Sequence, residues 1–456
     1  MRFITGDSNG LLKSVRVHAA EGDTGDTGDT GDTEITASLL TSDGVEAQRK
    51  ITQLQYTPAT RKLLAARSDG ALQQYTLSGN GEALALDAEW TDSRSAERSI
   101  GVGVGSAGGT QVNMSVTSSG HLCYTSPPAH SPRFFSLPPR LTCMRTSPSG
   151  RFMAVGGVEQ EPSVWDVQRV CEMSEDHPTA YAPRIPQGKT KLERRKEKLA
   201  LHDGELWRAR NVPNDNLNLR SPVHVTALEW LDDNTLLTGS ASGSVRLYSW
   251  REQSEQGEHT GTKGKVGTKS NNSNRPLRST DTLTASPIRC LARGAHGNVF
   301  VADSNCALMN VDTASMHLRN AYRGLGAAVG CVATTSNPLI SLSGAIDGFV
   351  RVHSTVTPGT HSKAAILASA FVKSTPMAIV WDGEEQGQEV KEKEHVRETK
   401  SGKHSKDGKK RADRDDQESD SEGELDDVLR DMETVTGEDM KVKRKAEGRR
   451  TKKKRV

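Results

Sequence analysis

HVTALEWLDDNTLLTGSASGSVRLYSW, residues 224–250, alternates apolar and polar residues, turns at Asp232-Asp233-Asn234, runs into small residues, turns again at Ser242-Gly243 and closes on aromatics. Short period-two runs of about 4–8 residues between Gly, Ser, Asn and Asp turns read as strands. The same order recurs in ITQLQYTPATRKLLAARSDGALQQYTL at 51–77, LTCMRTSPSGRFMAVGGVEQEPSVWDV at 141–167, PIRCLARGAHGNVFVADSNCALMNVDT at 287–313 and AAVGCVATTSNPLISLSGAIDGFVRVHS at 327–354. GTQVNMSVTSSGHLCYTS at 109–126 matches it loosely. A seventh copy is split: MRFITGDSNGLLKSVRV opens at the small-residue strand, and AAILASAFVKSTPMAIVW at 364–381 is expected to supply the two strands before it.

One small sheet cannot bury both of its faces, and radial packing of repeated sheets solves that problem. A period of roughly 40–45 residues is that of four-stranded WD-type blades. Trp165-Asp166 is the dipeptide that names such repeats. The sequence therefore predicts an all-β, seven-bladed WD-repeat β-propeller over 1–382, with N- and C-terminal strands sharing one blade. Insertions are expected at 20–48, 168–222 and 251–281, and a charged, disordered tail at 383–456.

Hydrophobic residues make up 34% of the 456 and aromatics 4%, because polar segments dilute the blades. No apolar stretch approaches the roughly 18 residues of a membrane span, and the first residues lack a basic-then-apolar signal, so no membrane role is expected. Cys123, Cys143, Cys171, Cys290, Cys306 and Cys331 lie one per strand or strand edge, without CxxC pairs or clustered His. They read as reduced core thiols, and no metal or cofactor is implied.

GDTGDTGDTGDT at 22–33 and the Gly/Ser/Thr/Lys-rich stretch 251–281 read as surface loops. Within 168–222, KTKLERRKEKLAL at 189–201 sets Leu192 and Leu199 a heptad apart among Lys189, Lys191, Arg194, Arg195, Lys196 and Lys198, the pattern of a basic helix. Such a helix either lies solvated on the rim or contacts RNA phosphates. In GELWRARNVPNDNLNLRSPV, 204–223, Trp207, Leu217 and Leu219 are expected to anchor a meander from which Arg208, Arg210, Asn211, Asn214, Asp215 and Arg220 face outward.

The tail holds 21 Lys or Arg and 21 Asp or Glu in 74 residues, with no aromatic, a composition that cannot build a core. Its acidic block, 413–439, contains ELDDVLRDM, whose Leu425, Val428, Leu429 and Met432 share one helical face suited to a partner. Ser419 and Ser421 each precede an acidic residue by three positions, as acidophilic kinases favour. The closing stretch clusters Lys441, Lys443, Arg444 and Lys445, then Arg449, Arg450, Lys452, Lys453, Lys454 and Arg455, which fits nuclear import or RNA contact.

Signals for chemistry are weak. Gly103-x-Gly105-x-x-Gly108 evokes a dinucleotide fingerprint, but a β-rich stretch follows it where a helix is required. No nucleophile elbow occurs, no carboxylates converge, and His224, His296 and His353 fall in or beside blades as structural residues. No catalytic residue and no small-molecule substrate are expected.

Glu205, Leu206, Trp207, Ala209, Asn211, Val212, Asn214, Asp215, Leu217, Leu219, Arg220 and Pro222, placed after the fourth blade, resemble the Nop-seven-associated protein family. These are nucleolar WD-repeat factors of large-subunit ribosome biogenesis. Gly156, Gly157 and Glu159 before the Trp-Asp pair, and Gly344, Asp347, Arg351 and His353, extend the resemblance over about 141–382. Arg210 stands where the family commonly has Lys. The resemblance implies a non-catalytic assembly factor in nucleolus and nucleus, acting in rRNA processing. It would scaffold ribosomal RNA, ribosomal proteins and other factors on pre-60S particles, with Glu205, Trp207, Arg210, Asn211, Asn214, Asp215 and Arg220 as contacts. It also implies an AAA-type ATPase as partner of the tail. The competing class is a substrate receptor of a ubiquitin ligase, which usually carries Trp-Asp-x-Arg; here Gln168 follows Val167 and Arg169 comes one place late.

Overall fold

The computed structural model describes residues 1–18, 33–40, 49–78, 83–91, 97–126, 131–174, 181, 190, 192–194, 199–214, 217–251, 274–280, 283–295, 297–335, 340–354 and 366–383. The chain divides into Met1–Gln388 and Glu389–Val456, and the second unit, with the charged tail residues above, lies outside the described residues. Within the first, seven four-stranded antiparallel sheets form the blades of a β-propeller.

Innermost strands follow the chain from Ile51–Thr57 in blade 2 through Ser99–Ala107, Leu141–Thr146, Val225–Trp230 and Ile288–Arg293 to Val329–Thr334 in blade 7. Pro376–Trp381 provides the innermost strand of blade 1, whose other strands are Arg2–Asp7, Leu12–His18 and Glu34–Leu39. Each of the seven buried apolar clusters draws its residues from two neighbouring blades. One, for example, joins Phe152, Val164 and Trp207 of blade 4 to Val225, Leu228, Trp230 and Tyr248 of blade 5. Burying each such side chain is worth about 1.5–3 kcal/mol, and no blade can collect that alone.

A β-bulge falls at the second residue of every innermost strand. The bulge sharpens the local twist and turns that residue inward. Thr52, Ile100, Thr142, Thr226, Arg289, Gly330 and Met377 consequently line one central cavity bordered by all seven strands. Opposite the bulge, the second strand carries a small residue: Gly6, Gly156, Gly239 and Gly344, with Ala66 and Ala302 in blades 2 and 6. That residue makes room for the next blade. A Cβ on Gly239 would lie 2.6 Å from Ile288 of blade 6, and one on Gly344 would lie 2.9 Å from Pro376 of blade 1.

Blade 3 departs from this scheme in a compensated way. Val116 occupies the small-residue position, and its partner across the sheet is Gly101 on the innermost strand. A Cβ on Gly101 would sit 2.8 Å from the Met144 Cβ of blade 4. Gly103 and Gly105 are on the same strand, and Gly108 turns its hairpin at φ +56°. Two glycines of the apparent dinucleotide fingerprint, Gly103 and Gly105, therefore serve close strand packing and the third a turn.

Two expectations need correction. Ile366–Phe371 pairs with Phe349–Ser354 as the outermost strand of blade 7, so only Pro376–Trp381 of the two C-terminal strands joins blade 1. It pairs Phe3 with Trp381 and Gly6 with Ala378, and a buried Arg2–Asp382 ion pair fastens the seam. The three insertions are also shorter than expected. Each contains the outermost strand of the blade it interrupts: Glu34–Leu39, Glu205–Arg208 and Arg278–Thr280. The first and last of these are largely exposed, so no apolar alternation marks them.

A short helix, Val167–Glu172, was not expected. Asp166 caps it, accepting from the Gln168 and Arg169 amides at 3.0 and 3.3 Å, and Val167, Val170 and Cys171 are buried. Of the expected basic helix, residues 192–194 are helical. Thr190 and Glu193 exchange backbone-to-side-chain bonds of 3.0 and 3.1 Å at its start, a capping box, and the rest, apart from Leu199 to Leu201, lies outside the described residues. No helix among the described residues is long and apolar enough to cross a membrane.

Gly239→Ala should lower stability by about 1–3 kcal/mol through overpacking against Ile288. Gly326→Ala, where nothing lies within 4 Å of the added Cβ, should stay within about 0.5 kcal/mol of the parent; thermal melts of both variants check this.

Candidate functional site

The segment whose residues suggested a contact site begins as a blade strand. Glu205–Arg208 pairs with Gln160–Asp166, matching Val164 to Trp207 and Trp165 to Glu205. Glu205 is buried and accepts from Arg208 Nε at 2.6 Å and from the His202 amide at 2.8 Å. Trp207 is 4% exposed and meets Tyr248 of blade 5 edge-on, with ring centroids 5.6 Å apart. Glu205 and Trp207 are thus corrected from partner contacts to residues that hold blade 4 and seat it against blade 5. An alternating Glu-Leu-Trp-Arg strand buries its first and third side chains, which leaves neither for a partner.

From Ala209 to Pro222 the chain crosses to the innermost strand of blade 5. Its ends are fixed by backbone bonds: Ala209 N donates to Pro162 O at 2.9 Å, Arg210 N to Asn274 O at 2.7 Å, and Glu159 N to Val223 O at 2.8 Å. Asn211 Nδ2 donates across the crossover to Ser221 O at 2.7 Å, and Asn214 Nδ2 reaches Asn218 O at 3.1 Å. Asn211 is therefore half-buried and shapes the loop. Arg210, Asn214, Leu217, Leu219 and Arg220 are exposed, and Asp215 lies outside the described residues. The expected anchoring by Leu217 and Leu219 is corrected, since they are 79% and 60% exposed. Arg220 lies 3.2 Å from Glu159, an exposed pair worth about 0–1 kcal/mol.

Beside the crossover sits a group that sequence reasoning missed. Burial pushes the Glu161 carboxyl up to about 7, and the Arg246 and Arg220 guanidinium groups oppose that rise only in part. Glu161 Oε1, Arg246 Nε, Asn211 Oδ1 and Trp207 Nε1 are buried without a hydrogen-bond partner among the described residues. Unpaired buried polar atoms cost about 1–3 kcal/mol each, so the blade 4–5 seam is a polar, imperfectly satisfied joint. Its only sequence signal is a charged residue at Glu161 and another at Arg246, in strands 85 positions apart.

Other residues singled out in the sequence turn out to be structural. Trp165 is buried and donates from Nε1 to Ser163 Oγ at 2.9 Å. Asp347 and Arg351 pair at 2.6 Å across a blade 7 hairpin. His353 is buried, bonded through Nε2 to Ser343 Oγ at 2.6 Å and packed on Tyr322; burial beside Arg351 pushes it down to about 3, so it is neutral. Five cysteines are buried and Cys306 is half-exposed; burial pushes the Cys143 thiol up to about 12. No group of three or more potential metal ligands occurs among the described residues.

Trp207→Ala should destabilise the protein by about 3–5 kcal/mol through the cavity it leaves, read as a lower Tm. Because the Glu161 carboxyl binds its proton more tightly in the folded state, the stability it supports is complete below about 4.5 and falls as pH rises towards 7. Glu161→Gln should therefore match the parent near pH 4 and exceed it by about 1–2 kcal/mol at pH 8. Among known families, the WD domain, G-beta repeat, matches residues 218–249, which begin within the crossover and run through three strands of blade 5. No curated protein matches the chain. A WD40 repeat in a seven-bladed propeller fits a WD-repeat protein, and such propellers are typically non-catalytic scaffolds for protein interaction.

Proposed function

We propose that the protein is a non-catalytic assembly factor of the large ribosomal subunit. In this reading it acts in nucleolus and nucleus, where the propeller holds pre-ribosomal RNA, ribosomal proteins and other factors on pre-60S particles. The observation that carries this reading is the exposure of Arg210, Asn214, Leu217, Leu219 and Arg220 in the 209–222 crossover. The residues there that resemble the assembly-factor family divide between blade core and surface, and those residues are on the exposed side. Exposed arginines and amides beside exposed leucines suit a mixed RNA and protein contact. The basic run from Lys441 to Arg455 adds charge for RNA and for import, and the tail is the proposed contact of an AAA-type ATPase.

Crosslinking the tagged protein to RNA in cells and sequencing the adducts tests this reading. Adducts should concentrate in large-subunit precursor RNA. Arg210→Glu combined with Arg220→Glu should cut their recovery about tenfold while leaving Tm nearly unchanged. Adducts no more frequent in precursor RNA than in bulk RNA would overturn the proposal.

A further inference from the structure

The central channel carries charge that neither the folding of the blades nor the crossover reading uses. Three cavities lie along it, of about 240 Å³ at the bulge end and about 640 and 610 Å³ at the opposite end. Arg145 borders all three. Arg98 and Arg289 line the bulge end, Arg293 lines the other, and Glu229 is the only carboxylate among the lining residues. Glu229 lies 3.7 Å from Arg145, and burial pushes it up to about 7, so near neutral pH it offsets at most part of one charge.

Four guanidinium groups against one weakened carboxylate, inside a ring of low-dielectric strands, focus a positive potential along the channel. The threonine hydroxyls at the bulge end are already committed. Thr52, Thr142 and Thr226 donate to the carbonyls of Ala66, Gly156 and Gly239 at 3.2, 3.3 and 3.2 Å. Donors for a ligand therefore come from the arginines, whose planar forks match phosphate oxygens in paired bonds. The walls are seven strands packed closely against small residues of their neighbours, which fixes the bore and limits the occupant to something compact. We propose that the bulge end of the channel binds a small, multiply phosphorylated anion through Arg98, Arg145 and Arg289, with Arg293 adding to the positive potential from the opposite end.

This goes beyond the assembly-factor reading and is tested separately, with the purified full chain and no RNA. Isothermal titration and thermal melts would use inositol hexakisphosphate and pyrophosphate as probes, with sulfate at matched ionic strength and an Asp/Glu hexapeptide as comparators. The expected result is one saturable site for inositol hexakisphosphate, with a raised Tm. Arg145→Gln and Arg289→Gln should each weaken it about tenfold, the worth of one charged hydrogen bond. Glu229→Gln, which removes the carboxylate competing for Arg145, should tighten it. Replacing the ten basic residues of 441–455 by Gln should leave the Tm shift intact. If Arg145→Gln fails to fold because Glu229 is left unpaired, Arg289→Gln at the exposed mouth still decides the matter. Binding indifferent to the channel variants, binding lost with the tail substitutions, absence of a saturable site, or preference for the acidic hexapeptide would each overturn the proposal.

Discussion

The propeller depends on a notch. On the second strand of most blades a missing or minimal side chain admits the first residue of the next innermost strand: Gly6 receives Ile51, Gly156 receives Val225 and Gly239 receives Ile288. Any larger side chain there would force neighbouring blades apart, and every apolar cluster of the molecule is shared across such a joint. The bulge opposite the notch answers the same geometry. By giving the innermost strand an extra residue it lets the strand turn, so one side chain per blade enters the channel while the flanking residues stay buried. Core packing and channel lining are consequently set by one local arrangement repeated around the ring.

Closure of that ring joins residues at opposite ends of the folded unit. Pro376–Trp381 adds its strand to a blade otherwise made by the first forty residues, and the buried Arg2–Asp382 pair locks the joint. Removing one partner would leave the other charge buried and uncompensated, a cost of about 3–5 kcal/mol against a net stability of about 5–15 kcal/mol. A closed ring also leaves its loops and its bore as the surfaces not taken up by blade-to-blade packing. Most strand side chains are committed to neighbouring blades, whereas exposed residues of the 209–222 crossover and the bore-lining arginines of the innermost strands lie outside those joints.

The blade triplets were legible because their strands are buried on both faces or alternately, which writes a period of two into the sequence. The outermost strands Glu34–Leu39 and Arg278–Thr280 were not legible, since exposed residues carry no such period, and they were read as loop. Ile366–Phe371 was recognised as a strand and assigned to the wrong blade, because pairing partners are a matter of neighbours. Trp207 shows the limit within the site. Its setting among Arg and Asn suggested a contact residue, yet the strand alternation of Glu205 to Arg208 turns it inward against Tyr248.

By itself the sequence determined the all-β class, the number of blades and the sharing of one blade by strands from both ends of the propeller. Each of these follows from local periodicity or from composition, which a linear chain displays directly. Only the tertiary structure decided which strand is outermost in each blade, that the glycines of Ser99–Ala107 serve packing, that Glu205 and Trp207 are core, and that Arg98, Arg145, Arg289 and Arg293 share one channel. Those four arginines come from three separate blades up to 195 positions apart, and only the closure of the ring brings their charges around a common axis.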